Sequence, residues 1–226
     1  MNENMELTAE RSLEIIAEQI AQSRKTVSKH VGQALFVSGL YTMGMAVVVA
    51  IINIIAGSNG FNPLGHLLWF LLPVVIWLAI RNIKKEEAPV SLVGTLVGKT
   101  WWTFAFFALG VFIFGNIWNI VMGHICPPDR YGVAYISISS VIVLLMSMAT
   151  SITGHILKSR WLVWFGIIAG LLVGVGDSIG VFVMLIDYFS SPLTVAYWYF
   201  VRPCPTIFFL ALIGLTLPGW MLIKQK

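Results

Sequence analysis

The stretch GIIAGLLVGVGDSIGVF, residues 166–182, contains one ionisable side chain, Asp177, in an otherwise apolar run. With its apolar flanks the run reaches the length of about 20 residues that a helix needs to cross the hydrocarbon core of a bilayer. Similar runs recur along the chain, which is 58% hydrophobic and only 11% charged. Because a soluble domain is about 25% charged, the composition indicates an all-α, multipass membrane protein.

Hydropathy divides this chain into a polar leader, residues 1–33, and a transmembrane domain, residues 34–226. The runs predict a six-helix transmembrane bundle with spans at residues 34–56, 67–80, 101–125, 133–156, 161–186 and 204–223. The start of the sixth span has two interpretations. The helix begins near Val195 and kinks at Pro203 and Pro205, or it begins at these prolines. We favour the second, because proline is well tolerated in a first helical turn.

The basic residues give the orientation of the bundle. Of the 14 lysines and arginines, 12 lie before span 1, between spans 2 and 3, between spans 4 and 5, or after span 6. Only Arg130 and Arg202 fall on the opposite side. Cytoplasmic loops carry such an excess of positive charge, so we expect both termini in the cytoplasm. The same distribution explains the net charge of +4 without a nucleic-acid partner.

The leader has the pattern of a cytoplasmic amphipathic helix. Its apolar side chains follow helical spacing, with Ser23 interrupting the series Leu13, Ile16, Ile20, Val27 and Val31. One interpretation is a helix that lies on the membrane surface or packs on the cytoplasmic loops. The other is a segment that dimerises or binds a cytoplasmic protein partner. The series is too short to require a coiled coil.

Three glycines of span 5 share one helix face. Gly166, Gly170 and Gly174 lie at intervals of four residues, which lets two helix backbones approach closely. The pattern predicts helix packing, either within one chain or across a homodimer.

Polar side chains inside the spans form a candidate intramembrane polar cluster. Its predicted members are Asp177, Arg202, Asn116, Asn119, Ser140 and Ser147. An unpaired charge in lipid costs at least about 2.5–3.5 kcal/mol, so Asp177 must face protein or water. It forms an ion pair with Arg202, or is neutral and hydrogen-bonded to serines of span 4, or lies on a proton or cation pathway.

Cysteine, histidine and motif patterns bear on chemistry. Cys126 and Cys204 both fall near the predicted outer side, where a disulfide or two unpaired thiols are allowed. The four histidines show no metal-ligand spacing, so we expect no metal and no cofactor. The chain lacks a nucleotide-binding loop GxxxxGK[ST], a zinc-protease HExxH and a hydrolase GxSxG. We therefore expect that it is not an enzyme.

Two stretches carry a resemblance to a known family. ERSLEIIAEQIAQSRKTVSK (10–29) is one, and SITGHILKSRWLVWFGIIAGLL (151–172), followed by LALIGLTLPGWMLIKQK (210–226), is the other. They resemble an uncharacterised family of small multipass inner-membrane proteins of Bacteroidota. The resemblance implies a bacterial inner (cytoplasmic) membrane location and a cytoplasmic leader before the spans. It implies no activity and no site residues.

The sequence leaves three function classes open, of which an intramembrane enzyme is the least favoured. A membrane adaptor or sensor-type protein that binds a cytoplasmic partner through its leader is favoured by the amphipathic pattern. A small transporter or channel that uses the cluster around Asp177 is the alternative. The expected partners are the lipid bilayer, a cytoplasmic protein and, if the glycine face is intermolecular, a second copy of the chain.

Overall fold

The computed structural model describes residues 9–58, 63–81, 92–125, 137–176 and 203–224. These residues are 97% helical and contain no strand, which confirms the all-α prediction. The α-helices are α1 (Ala9–Ser58), α2 (Leu72–Arg81), α3 (Leu92–Ile125), α4 (Ile138–Leu157), α5 (Arg160–Ile168), α6 (Pro203–Leu210) and α7 (Leu217–Lys224). A 3₁₀-helix covers Pro63–Phe70, and two π-helical segments, π1 (Ala169–Val175) and π2 (Ala211–Thr216), continue α5 and join α6 to α7.

Four helices in the described ranges are long and apolar enough to cross a membrane. They cover Arg11–Ile55, Leu92–Met122, Ile138–Leu157 and Pro203–Lys224. Predicted spans 2 and 5 correspond to shorter apolar helices, Gly65–Arg81 and Arg160–Val175. Residues 177–202, which include the end of span 5 and the segment before Pro203, lie outside the described ranges. The six-span count and the start of span 6 therefore stay predictions.

The leader and the first span form one helix. α1 runs for 50 residues without a break in its α-helical conformation, and it contains no proline. At 1.5 Å per residue its length is about 75 Å, whereas the hydrocarbon core is about 30 Å thick. Hydropathy changes near residue 33, but the backbone continues as the same helix.

The region of predicted span 2 is not a single α-helix. The 3₁₀-helix Pro63–Phe70 gives way to α2 at Leu72, one residue before Pro73. Proline lacks the N–H that an interior helical hydrogen bond needs but fits a first turn. Pro73 thus explains why the α-helical ladder starts again here.

A tight turn joins α4 to α5. Ser137 caps the start of α4 by accepting a hydrogen bond from the Ser140 amide at 3.4 Å. At the other end Lys158 has a left-handed backbone, with φ of 56°. The Lys158 and Ser159 amides donate to the carbonyls of His155 and Gly154, which is the Schellman pattern that ends many helices.

Proline also explains one of the π-helical segments. π2 ends two residues before Pro218, which is the second residue of α7 and is buried. The ring of Pro218 conflicts with the carbonyl four residues earlier, so the preceding turn widens. The Thr216 hydroxyl donates to the Ala211 carbonyl at 2.8 Å, which satisfies an acceptor in the widened turn.

α1 and the last helix pack backbone against backbone. A Cβ atom added to Gly219 would lie 2.5 Å from the Phe36 amide nitrogen and 2.8 Å from the Gly32 carbonyl oxygen. A Cβ added to Gly32 would lie 2.8 Å from the Leu222 Cβ. Glycine is required at both positions, because no side chain fits between the two backbones.

At one end of the bundle five α-helices pack together, and basic residues lie near this contact. A core cluster joins Leu35, Val97, Leu157, Leu162, Leu215 and Leu222. Exposed basic side chains lie within six residues of these leucines and valine along the chain, at Lys29, Lys99, Lys158, Arg160 and Lys224. We call this the basic end of the bundle.

Gly219→Ala tests the close packing of α1 against α7. We expect it to lower the free energy of unfolding by about 1–3 kcal/mol, because backbones must move apart to admit a methyl group. Gly44→Ala is the matched control on α1, since a Cβ there meets nothing within 4 Å. It should be neutral or stabilising by about 0.5–1 kcal/mol through helix propensity. Equal stability of the two variants in unfolding titrations with a denaturing detergent would contradict the packing.

Candidate functional site

The two charged members of the predicted polar cluster, Asp177 and Arg202, lie outside the described residues. Their ion pair therefore stays a prediction. The described structure comes close to Asp177 in the sequence, since π1 ends at Val175, two residues earlier. Segments of π-helix inside α-helices are rare and frequently occur at functional sites.

The two asparagines of α3 differ in environment. The Asn116 side chain is exposed and donates to the Phe112 carbonyl of its own helix. Asn119 is half-buried. It follows Gly115 by one helical turn, and Gly115 packs against Ile138 of α4. The structure thus turns Asn119 toward the start of α4 and leaves Asn116 on the periphery.

The hydroxyls of α4 mostly bond locally. Ser140 is buried, and its hydroxyl lies 2.7 Å from that of Ser137. Thr150 and Thr153 donate to the Met146 and Ala149 carbonyls four residues back. Back-bonding of this kind is common for hydroxyls in membrane helices, and it removes these threonines as free donors for a ligand.

The glycine face of span 5 packs against α4 within the same chain. Gly166 lies against Ser151 and the Ser147 carbonyl, Gly170 against the Ser147 side chain, and Gly174 against Leu144. A Cβ added to Gly170 would lie 3.0 Å from the Ser147 Cβ. The described part of this seam is therefore tightly packed, without room for a ligand beside Ser147.

Along this seam Ser151 donates to the Val163 carbonyl of α5 at 3.4 Å, whereas Ser147 makes no hydrogen bond. Its residue is 4% exposed, and its hydroxyl oxygen is buried without a hydrogen-bond partner. Among the described members of the predicted cluster, Ser147 faces π1, Ser140 bonds within α4, and Asn116 points away. The described members do not converge on one cavity.

A polar contact that the sequence reading missed joins α1 to the 3₁₀-helix. Asn53 is 4% exposed, and its side-chain nitrogen lies 3.1 Å from the His66 Nε2. Gly65 leaves the space for Asn53, because a Cβ at Gly65 would overlap the amide oxygen. The sequence feature that indicates this contact is the lone asparagine in the apolar run AIINIIA (residues 50–56). The contact ties the far end of α1 to the next helix.

Of the two cysteines, the described residues include only Cys204. Cys204 is 2% exposed and its thiol is free in the structure, so the described residues give no support to the predicted disulfide with Cys126, which lies outside them. Within the described ranges no three histidine, cysteine or acidic residues approach closely enough to hold a metal ion.

The apolar series of the leader divides into two parts. Val27 and Val31 pack against the core cluster at the basic end. Leu13, Ile16 and Ile20 are 67%, 51% and 45% exposed. We call these three residues the leader stripe. They form an apolar surface on the part of α1 that projects beyond the bundle.

No protein-family model matches this chain, and no similar protein was found among curated proteins or solved structures. The resemblance to the Bacteroidota family stays a prediction.

Ser147→Ala tests whether the Ser147 hydroxyl has a partner. We expect no loss of stability, because an unpaired buried hydroxyl contributes no hydrogen bond and costs desolvation. Thr153→Val is the matched control; it removes the 2.7 Å bond to Ala149 and should cost about 0.5–1.5 kcal/mol. If unfolding titrations show that both variants lose the same stability, the Ser147 hydroxyl makes a hydrogen bond and the expectation is wrong.

Proposed function

We propose that the chain is a six-span protein of a bacterial inner membrane with both termini in the cytoplasm. Four apolar helices of spanning length support the membrane placement. The five exposed basic side chains at one end of the bundle support the orientation, because positive charge accumulates on the cytoplasmic side. In this orientation the leader projects into the cytoplasm.

Its proposed function is that of a non-enzymatic membrane adaptor or sensor-type protein that holds a cytoplasmic partner on its leader helix. The observation that carries this proposal is the exposed leader stripe on an unbroken α1. Exposed apolar surface grouped on one face marks a site of interaction. A stripe at helical spacing fits an apolar groove on a partner, as other amphipathic helices do.

We infer that the leader stripe does not bind the membrane surface. Ile20 precedes Ala34, the first residue of predicted span 1, by 14 residues, or about 21 Å along a helix. A helix that lay on the membrane surface would have to bend sharply between these residues. Sharp bends occur at proline, at glycine–serine pairs or at π-bulges. Residues 20–34 contain no proline and remain α-helical throughout.

A different protein is a better partner for the leader stripe than a second copy of the chain. The stripe spans only two helical turns, and Ser23 follows it where a coiled coil would place the next apolar residue. A two-turn seam buries too little surface to hold two helices together without further contacts. A preformed groove on a different protein would bury more of these three side chains than a second leader helix would.

A small transporter or channel is the second candidate function. It is favoured by π1 and π2, which contact one another in the bundle, and by the sequence position of Asp177, two residues after the end of π1. Segments of π-helix inside α-helices frequently occur at functional sites. An Asp177→Asn variant that abolishes cation or proton flux in liposomes would support this function over the adaptor.

Ile16→Ser tests the leader stripe in the full-length chain in cells. A photo-crosslinking side chain at position 20 should give one discrete product with a cytoplasmic protein. We expect Ile16→Ser to reduce the yield about tenfold, the effect of losing roughly 1.5 kcal/mol of apolar burial.

Ile15→Ser is the matched control, because Ile15 is also exposed but lies on another face of the helix. It should leave the yield within about twofold of the parent, since a residue off the stripe loses no apolar burial. Crosslinks to lipid alone, a product with twice the mass of the chain, or equal loss in both variants would contradict the proposal.

A further inference from the structure

A groove lies at the basic end of the bundle, between α5 and α7. It has a volume of about 350 Å³ and is lined by Trp161, Trp220, Met221 and Lys224. Trp161 belongs to the first turn of α5, whereas the other three belong to the last two turns of α7. The packing of Leu162 and Leu222 in one core cluster fixes these two helix ends beside each other.

The groove has an apolar wall and a cationic rim. Both indole side chains are partly exposed, Trp161 by 59% and Trp220 by 45%. The Lys224 ammonium nitrogen lies 4.0 Å from the centre of the Trp220 ring. This cation–π contact holds the charge beside the indole while Lys224 stays exposed. The lining therefore offers both an apolar surface and a positive charge to one ligand.

The surrounding charge favours an anion. Arg160 precedes Trp161 in the first turn of α5, and Lys158 lies in the turn before it; both are exposed. The carboxylates in the described ranges are Glu10, Glu14 and Glu18, all in the leader. They precede Val27, the first side chain that packs on the core cluster. In the described residues, no carboxylate of α5 or α7 offsets the positive charge at the groove.

We propose that this groove binds the headgroup region of an anionic phospholipid from the cytoplasmic leaflet. Lys224 contacts the phosphate, and the two indoles and the Met221 thioether contact the glycerol and the first acyl carbons. Tryptophan prefers this depth of the bilayer, and basic residues beside membrane helices bind anionic headgroups. The inference rests on the proposed membrane orientation but not on the leader or its partner.

The test uses the delipidated full-length chain in a neutral detergent. Phosphatidylglycerol and phosphatidylcholine with the same acyl chains are titrated, and the shift in melting temperature is measured. Phosphatidylglycerol should stabilise the wild type at lower concentration than phosphatidylcholine. Lys224→Gln should weaken the apparent phosphatidylglycerol affinity about fivefold, the usual effect of one basic residue near an anionic surface.

Lys99→Gln is the matched control. Lys99 is an exposed lysine at the same basic end, on α3, and does not line the groove. It should retain wild-type affinity for phosphatidylglycerol. Both lysines are exposed, so both variants should fold, which helical circular dichroism verifies before titration.

Three results would overturn the proposal. The first is equal affinity of Lys224→Gln and Lys99→Gln for phosphatidylglycerol. The second is equal stabilisation of the wild type by both lipids. The third is equal stabilisation by glycerophosphate without acyl chains, which would identify a site for small anions. Crosslinking from position 20 reports separately on the adaptor function, so failure of either proposal leaves the other testable.

Discussion

The backbone contact between α1 and α7 at Gly32 and Gly219 is the constraint on which the remaining architecture depends. It joins the first and last described helices of the chain at the basic end, where five helices share one apolar cluster. Van der Waals packing is a main driving force for helix association in a membrane, because lipid leaves little hydrophobic force between helices. A methyl group at either glycine would separate the helices and open the cluster.

This contact also sets the direction in which the leader leaves the bundle. Gly32 is held against α7, and Val31 and Val27, one and five residues earlier, pack on the core cluster at the basic end. The helix is thus fixed over the turns that follow its exposed part in the sequence. The leader stripe therefore lies on a helix that the bundle supports, which would lower the entropy cost of binding for the partner proposed above. The same packing brings the ends of α5 and α7 together and creates the groove around Lys224.

Much of the fold could be predicted from the sequence, because hydropathy and turn chemistry are local signals. Residues 101–125, 138–156 and 204–223 of the predicted spans are helical in the structure, and the turn at Lys158 separates α4 from α5 within the predicted basic loop. The continuity of α1 could not be read from hydropathy, because side-chain polarity changes near residue 33 whereas the helix continues there without a proline. Likewise, the widening at π2 depends on how the chain accommodates Pro218, which periodicity does not report.

Contacts between helices that are far apart in the sequence could not be predicted. Gly166, Gly170 and Gly174 share a face within one span, and the structure packs that face on α4. Gly32 and Gly219 are nearly two hundred residues apart, so no local spacing connects them. The polar cluster was assembled from depth alone, which does not tell the direction of a side chain; Asn116 accordingly points away from α4. Trp220 and Lys224 meet Trp161 only through the packing of two distant helix ends.

The most direct measurement is a distance between spin labels at Glu14 and Gly44 in the full-length chain in liposomes. Glu14 is exposed, and a side chain at Gly44 meets no neighbour, so both labels are tolerated. Thirty residues of unbroken helix place the backbones about 45 Å apart. A narrow distribution near that value is expected for a leader that projects from the membrane. A distribution near about 34 Å, the value for a right-angle bend at Ala34, would place the leader along the membrane surface and contradict the adaptor role.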